Sequence, residues 1–151
     1  MNNYIIISEE NFQKARNEIK KAREQNKKII FSGSDEMNRK VLEKEKIDTL
    51  LIKVAGRKDK LKQRNSGFNH VLAKLAGKKE VTIGIDLDEI LHVQDKKEKS
   101  KILARLRQNI GICGKNKLKM AFISEKHEKD KYDLRALGSV LGMPTSMTSQ
   151  L

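Results

Sequence analysis

One cysteine, no tryptophan and an aromatic content of 4 % close off several routes to function before any motif is sought. The lone Cys113 has no partner for an internal disulfide and no neighbouring cysteine for a metal motif. It reads as a small buried free thiol in a reducing compartment. Scarce aromatics argue against the stacked-base platforms that bind single strands through interleaved Phe and Tyr. No apolar run approaches the ~20 residues of a transmembrane helix. The run from Tyr4 to Ile7 is shorter than the roughly 7 to 15 apolar residues of a signal-peptide core. The chain is therefore expected in the cytoplasm, with no membrane partner. His70, His92 and His127 are its three histidines, none in an HxH pair, too few for the multi-ligand shell that lowers the pKa of metal-bound water. There is no P-loop, no GxSxG and no spacing that suggests a Cys and His dyad. We expect no catalytic residue, no metal site and no cofactor in this chain alone.

What the sequence has in excess is positive charge. Lys plus Arg number 33 against 20 Asp plus Glu, a formal net charge of +13 with a pI near 9.8, more than solubility requires and suited to a polyanionic partner. With 151 residues the chain is one domain by size, with residues 143–151 as a short polar tail. Nearly continuous apolar runs predict strands at Tyr4 to Ile7, Lys28 to Phe31, Thr49 to Val54, Val81 to Ile85 and Met120 to Ile123, as expected for parallel strands buried on both faces. Between them, apolar residues recur at three and four: Phe12, Ala15, Ile19, Ala22; Met37, Val41, Leu42; Phe68, Val71, Leu72, Leu75, Ala76; Ile102, Leu103, Leu106, Ile110; and Leu134, Leu137, Val140, Leu141. Ser8, Ser34, Ser66 and Asp133 or a neighbour are the expected N-caps; Gly77, Gly111 or Gly114, and Gly142 are the expected stops. Strand and helix thus alternate five times, which suits either an open doubly wound sheet or part of a β/α barrel.

In both architectures the loops after the strands share the ligand-binding face. One of them, between Gly56 and Gly67, runs to about 12 residues, long enough to be functional or flexible. It holds Arg57, Lys58, Lys60, Lys62 and Arg64, beside the start of the next helix. Such a cluster can grip phosphate. Asp86, Asp88 and Glu89 form an acidic patch after the fourth strand, explained by helix capping and a salt bridge.

The stretches "SGSDEMNRKVLEKEKIDTLLI", "GRKD" with "NHVLAKLAGKKEVTIGIDLDEIL", and "DLRALGSVLGM" together resemble the family of archaeal ribonuclease P protein component 3, homologous to the thirty-kilodalton subunit of the eukaryotic enzyme. The likeness runs in order from about Ile29 to Leu151. It implies an α/β fold of parallel β/α units in an incomplete TIM-barrel-like domain, similar to polymerase-and-histidinol-type phosphoesterases. It also implies a subunit that binds or scaffolds ribonuclease P RNA and assists removal of the 5′ leader from precursor tRNA, beside protein component 2 and other protein subunits, without cleaving by itself. The Mg2+ of such a holoenzyme would belong to its RNA. The other reading from the residues is a free-standing α/β phosphoesterase-like enzyme acting on a phosphorylated small molecule.

Relative to the family, an N-terminal strand and helix are missing, "KLKQRN" stands as a basic insertion, Asn69 replaces an Asp before the histidine, and the C-terminus is short. Open sheet edges, and with them self-association or marginal stability in isolation, are the expected consequence. The motifs nominate Arg39, Lys40, Arg57 and Lys58 for RNA. Charge alone nominates Lys60, Lys62 and Arg64. His70 is expected to orient the loop or touch RNA, and Lys74 and Arg135 complete the phosphate candidates. The competing reading is a solvated face, or an Arg57 paired with Asp59.

Overall fold

The computed structural model describes residues 3–151. Its elements in chain order are β1 (Tyr4–Ile7), α1 (Phe12–Glu24), β2 (Lys28–Phe31), α2 (Asp35–Lys44), β3 (Thr49–Ile52), α3 (His70–Lys78), β4 (Thr82–Asp86), α4 (Leu87–His92), α5 (Lys96–Lys115), β5 (Met120–Ile123), α6 (Lys131–Leu141) and α7 (Thr145–Thr148). Strands fall where the apolar runs predict them, shifted by at most two residues at one end. The short α4 and α7 have no periodic signal, because neither makes two full turns. The 143–151 segment carries α7, whose Met147 is buried.

The five strands pair in parallel in the order β1-β2-β3-β4-β5. A doubly wound sheet would reverse its order at a switch point; this one never does, so each right-handed crossover adds its strand on the same side. The helices accordingly form one curved outer layer, α1 against α2, α2 against α3, α3 against α5 and α5 against α6. The α/β architecture is that of an incomplete TIM-barrel-like domain, as the resemblance implied. Among the described residues β1 and β5 each keep one unpaired edge.

Alternation along the strands builds two faces. Ile7, Phe31, Leu50, Ile52, Ile83 and Ile85 point outward into the core shared with Ala15, Ile19, Val41, Leu42, Ala73, Ala76, Ile102 and Leu106 of the helices. Ile6, Ile30, Leu51, Gly84 and Ile123 occupy the opposite, concave face by register. There a Cβ at Gly84 would lie 3.1 Å from Thr49, 3.2 Å from Leu51 and 3.3 Å from Ile123. Glycine in β4 thus lets side chains of β3 and β5 close over it, which is the curvature a barrel wall requires.

Helix ends depart from the expectation. Ser34 caps α2 as expected, accepting from Met37 N at 3.2 Å, and Gly142 ends α6 at φ 103°. The caps of α1, α3 and α6 are Asn11, Asn69 and Asp130, where Ser8, Ser66 and Asp133 or a neighbour are expected; each accepts from a backbone N–H three residues on. Gly77, Gly111 and Gly114 lie inside their helices. The stops of α1, α3 and α5 are instead Asn26, Glu80 and Lys117, all left-handed at φ 54–56°. In each case the next N–H returns to the carbonyl five residues back, from Lys27 to Ala22, Val81 to Ala76 and Leu118 to Cys113, the Schellman pattern. Side chains at positive φ cost roughly 1–2 kcal/mol, part of which glycine returns as chain entropy. Glu80→Gly and Lys117→Gly should therefore each stabilise the protein by up to about 1 kcal/mol, read as a higher urea midpoint at unchanged slope.

Candidate nucleic-acid interface

The long loop between β3 and α3 is ordered by partners distant in sequence. Arg105 of α5 is 1 % exposed, and its guanidinium reaches into the base of the loop. Nη1 donates to the Val54 carbonyl at 3.0 Å and Nη2 to the Arg57 carbonyl at 2.7 Å. Nη2 also lies 3.3 Å from Asp59 Oδ1. One turn on, Asn109 donates to the Ser66 carbonyl at 3.0 Å and Gln108 to its hydroxyl at 3.2 Å. One face of α5 thus holds both ends of the loop. Asp59 Oδ1 accepts from Asn65 N at 2.7 Å. That backbone N–H, opposed by desolvation and helped by Arg105 and Arg64, keeps the Asp59 carboxyl below the ordinary carboxylate value.

Arg57 braces the loop from within. It pairs with Asp35 of α2, not with Asp59, through two parallel bonds of 2.9 Å. It also donates to Asn65 Oδ1 at 3.2 Å and to the Lys53 carbonyl at 2.7 Å. Gly67 sits against this guanidinium at φ +74°; a side chain there would be strained and would collide with it. The loop tip folds on itself by reciprocal bonds between Lys60 and Gln63, leaving Leu61 fully exposed.

This frame gathers Arg39 of α2 with Lys58, Lys60 and Arg64 of the loop around a hollow of about 660 Å³ between α2 and α3. Arg39 is paired with Glu43 at 3.0 Å, an exposed contact of small energy. The remaining nominated residues lie outside the hollow's lining. Lys62 is at the exposed tip. Lys74 is exposed on α3. His70 opens α3 with Nδ1 3.2 Å from Asn116 Nδ2. Arg135 of α6 donates to the Ser149 carbonyl at 3.1 Å. Lys40 is on another side of α2, 4.9 Å from the Phe12 ring centroid, with Arg16 and Lys44 at 5.7 and 5.6 Å. Three cations around one ring form a second basic patch that sequence order did not reveal.

The acidic patch acts as expected. Asp86 caps α4 through the N–H groups of Asp88 and Glu89 and pairs with Lys53 at 3.3 Å. Asp88 accepts from Ser124 Oγ at 2.6 Å and Glu125 N at 2.9 Å. Glu89 accepts from Val54 N at 3.0 Å. Burial pushes the Glu89 carboxyl up, and the Asp86 charge adds to this against its backbone bonds and Lys53. Among the described residues no group of three or more His, Cys, Asp and Glu is placed to hold a metal ion, and no helix is long and apolar enough to cross a membrane. Cys113 is buried, its thiol pushed up to about 12. Arg105, Gln108 and Asn109 are the residues that sequence reasoning missed. Their only signal is that Arg105 and Asn109 interrupt the apolar stripe of α5.

No protein-family model matches the chain. It is similar to ribonuclease P protein component 3 of Methanocaldococcus jannaschii, 29 % identical over 145 residues, 93 % of this chain and 60 % of that protein. The protein of the same name from Methanosarcina mazei is 31 % identical over 108 residues, 72 % of this chain and 41 % of its own. Among solved structures, a chain in the cryo-electron microscopy structure of archaeal ribonuclease P with mature tRNA matches with a TM-score of 0.74 and 27 % identity, covering 94 % of this chain and 61 % of that one. The chain thus spans 41 to 60 % of the length of these two relatives. The resemblance to archaeal ribonuclease P protein component 3 holds in sequence and in fold.

Arg105→Met should leave the carbonyls of Val54 and Arg57 unpaired and cost about 2–4 kcal/mol. Amide exchange should accelerate across residues 56–66 and remain slow in the strands. Glu89 titrates with the opposite sign to a salt-bridged acid. Its folded pKa lies above the unfolded 4.5, so the stability it contributes is complete below that pH and is lost as pH rises through the folded value. Glu89→Gln should therefore gain stability relative to the native protein as pH rises above 4.5, as thermal unfolding across a pH series will show.

Proposed function

We propose that this chain acts in the cytoplasm as a protein subunit of ribonuclease P, binding and scaffolding the catalytic RNA during removal of the 5′ leader from precursor tRNA. The observation that carries the reading is the convergence of Arg39, Lys58, Lys60 and Arg64 on one braced hollow in a chain whose fold matches one in archaeal ribonuclease P with mature tRNA. Cations held by a rigid frame meet phosphates without the entropy cost of ordering a loop. Protein component 2 and further protein subunits are its partners, and Mg2+ belongs to the RNA of the assembly. The chain by itself cleaves nothing. Free-standing phosphoesterase chemistry gains no support from the strand-end rim, where Asp86, Asp88 and Glu89 are committed to capping and loop contacts.

Reconstituted leader cleavage should slow when this chain is left out, and the chain without RNA should give none. Arg39, Lys58, Lys60 and Arg64 replaced together by Ala should weaken binding to ribonuclease P RNA. The slope of log K against log salt should flatten by about 0.7–0.9 for each phosphate that the variant no longer neutralises. Arg57 is excluded from this set because its loss would open the loop. An unchanged slope in the folded variant, or equal cleavage without the chain, would refute the reading.

A further inference from the structure

The hollow between α2 and α3 has a floor that a phosphate grip does not need. Phe68, Val71 and Leu72 line it; Val71 is 62 % exposed, while Phe68 and Leu72 are core residues at 6 % each that show only their edges. Glu36 and Gln63 also face it, and among the described residues neither side chain makes a hydrogen bond or ion pair. Backbone phosphates are bound by charge and N–H donors, whereas an unpaired base needs an apolar surface for its face and polar groups for its edge. The volume, about 660 Å³, falls within the roughly 300–1,000 Å³ of small-ligand sites. Arg57, bonded to both Asp35 and Asn65, holds the walls apart before any ligand arrives.

We propose that this hollow takes one unpaired nucleotide of an RNA strand, the base against Val71 and the exposed edges of Phe68 and Leu72, and the flanking phosphates on Arg39, Lys60 and Arg64. The inference rests on the RNA-binding reading above and deepens it by naming the kind of RNA. A duplex keeps its bases stacked and paired, so it meets the cations and leaves the floor bare. A strand with a free base satisfies both. One such pocket needs no run of aromatics, which agrees with a chain of 4 % aromatic content. Gln63 can both donate and accept at the base edge, and Glu36 can accept from an exocyclic amino group.

The test uses the full chain with a short oligouridylate carrying one 4-thiouridine, free or annealed to its complement. Irradiation of the free strand should crosslink within the tryptic peptide that runs from Asn65 to Lys74, and the annealed strand should not crosslink there. Val71→Ser keeps every charge and lies at an exposed position, so its fold is not at risk. It should lower the ratio of single-strand to duplex affinity by about fivefold. Crosslinks outside that peptide, or an unchanged ratio in Val71→Ser, overturn the nucleotide pocket and leave RNA binding standing. Absence of binding to either RNA overturns both.

Discussion

The buried guanidinium of Arg105 is the constraint on which the basic face depends. A charge removed from water is tolerated only where hydrogen bonds replace its hydration. Two carbonyls from the start of the loop and the Asp59 carboxylate do so here. A lysine would bring a compact ammonium in place of the wide planar fork whose separate nitrogens reach these acceptors. Because Arg105 belongs to a helix whose Ile102, Leu106 and Ile110 are core residues, the loop inherits the rigidity of the sheet it hangs over. The backbone that carries Lys58, Lys60 and Arg64 is therefore held in place although each side chain is solvent-exposed.

Much of the fold was legible because parallel strands buried on both faces write themselves as apolar runs, and five such runs alternating with helical periods admit few topologies. Strand order was not legible, since the same alternation suits two windings; it is set by contacts such as those over Gly84. The helices do not stop at Gly77, Gly111 or Gly114, because the tertiary path of the chain, not glycine, fixes where α3 and α5 must turn back into β4 and β5. Within the site, the clustering of positive charge was visible. What the loop does with it was not, because its braces lie in α2 and α5, and an arginine in an amphipathic helix pattern ordinarily reads as a solvated position. The Arg57 side chain is the clearest case: a motif residue nominated for RNA that spends four of its hydrogen bonds on the protein.

The winding also separates surfaces. The hollow lies between the first turns of α2 and α3 and the loop after β3, while the unpaired strand edges and the concave face carrying Ile6 and Ile123 lie elsewhere. The basic hollow and the open sheet edges therefore share no residues.

The wall of the hollow is itself an ion pair. Asp35 leaves 53 % of its side chain exposed beside an Arg57 at 15 %, so small ions reach the acid more readily than the base. At a screening length of ~10 Å in 0.1 M salt, added electrolyte weakens the attraction for an external polyanion and also loosens the clasp that spaces its receptors. Counting phosphates from a linear salt plot presumes a fixed array of charges. Here one of the struts that spaces the charges is itself an exposed ion pair, so salt acts on the receptor as well as on the contact it makes.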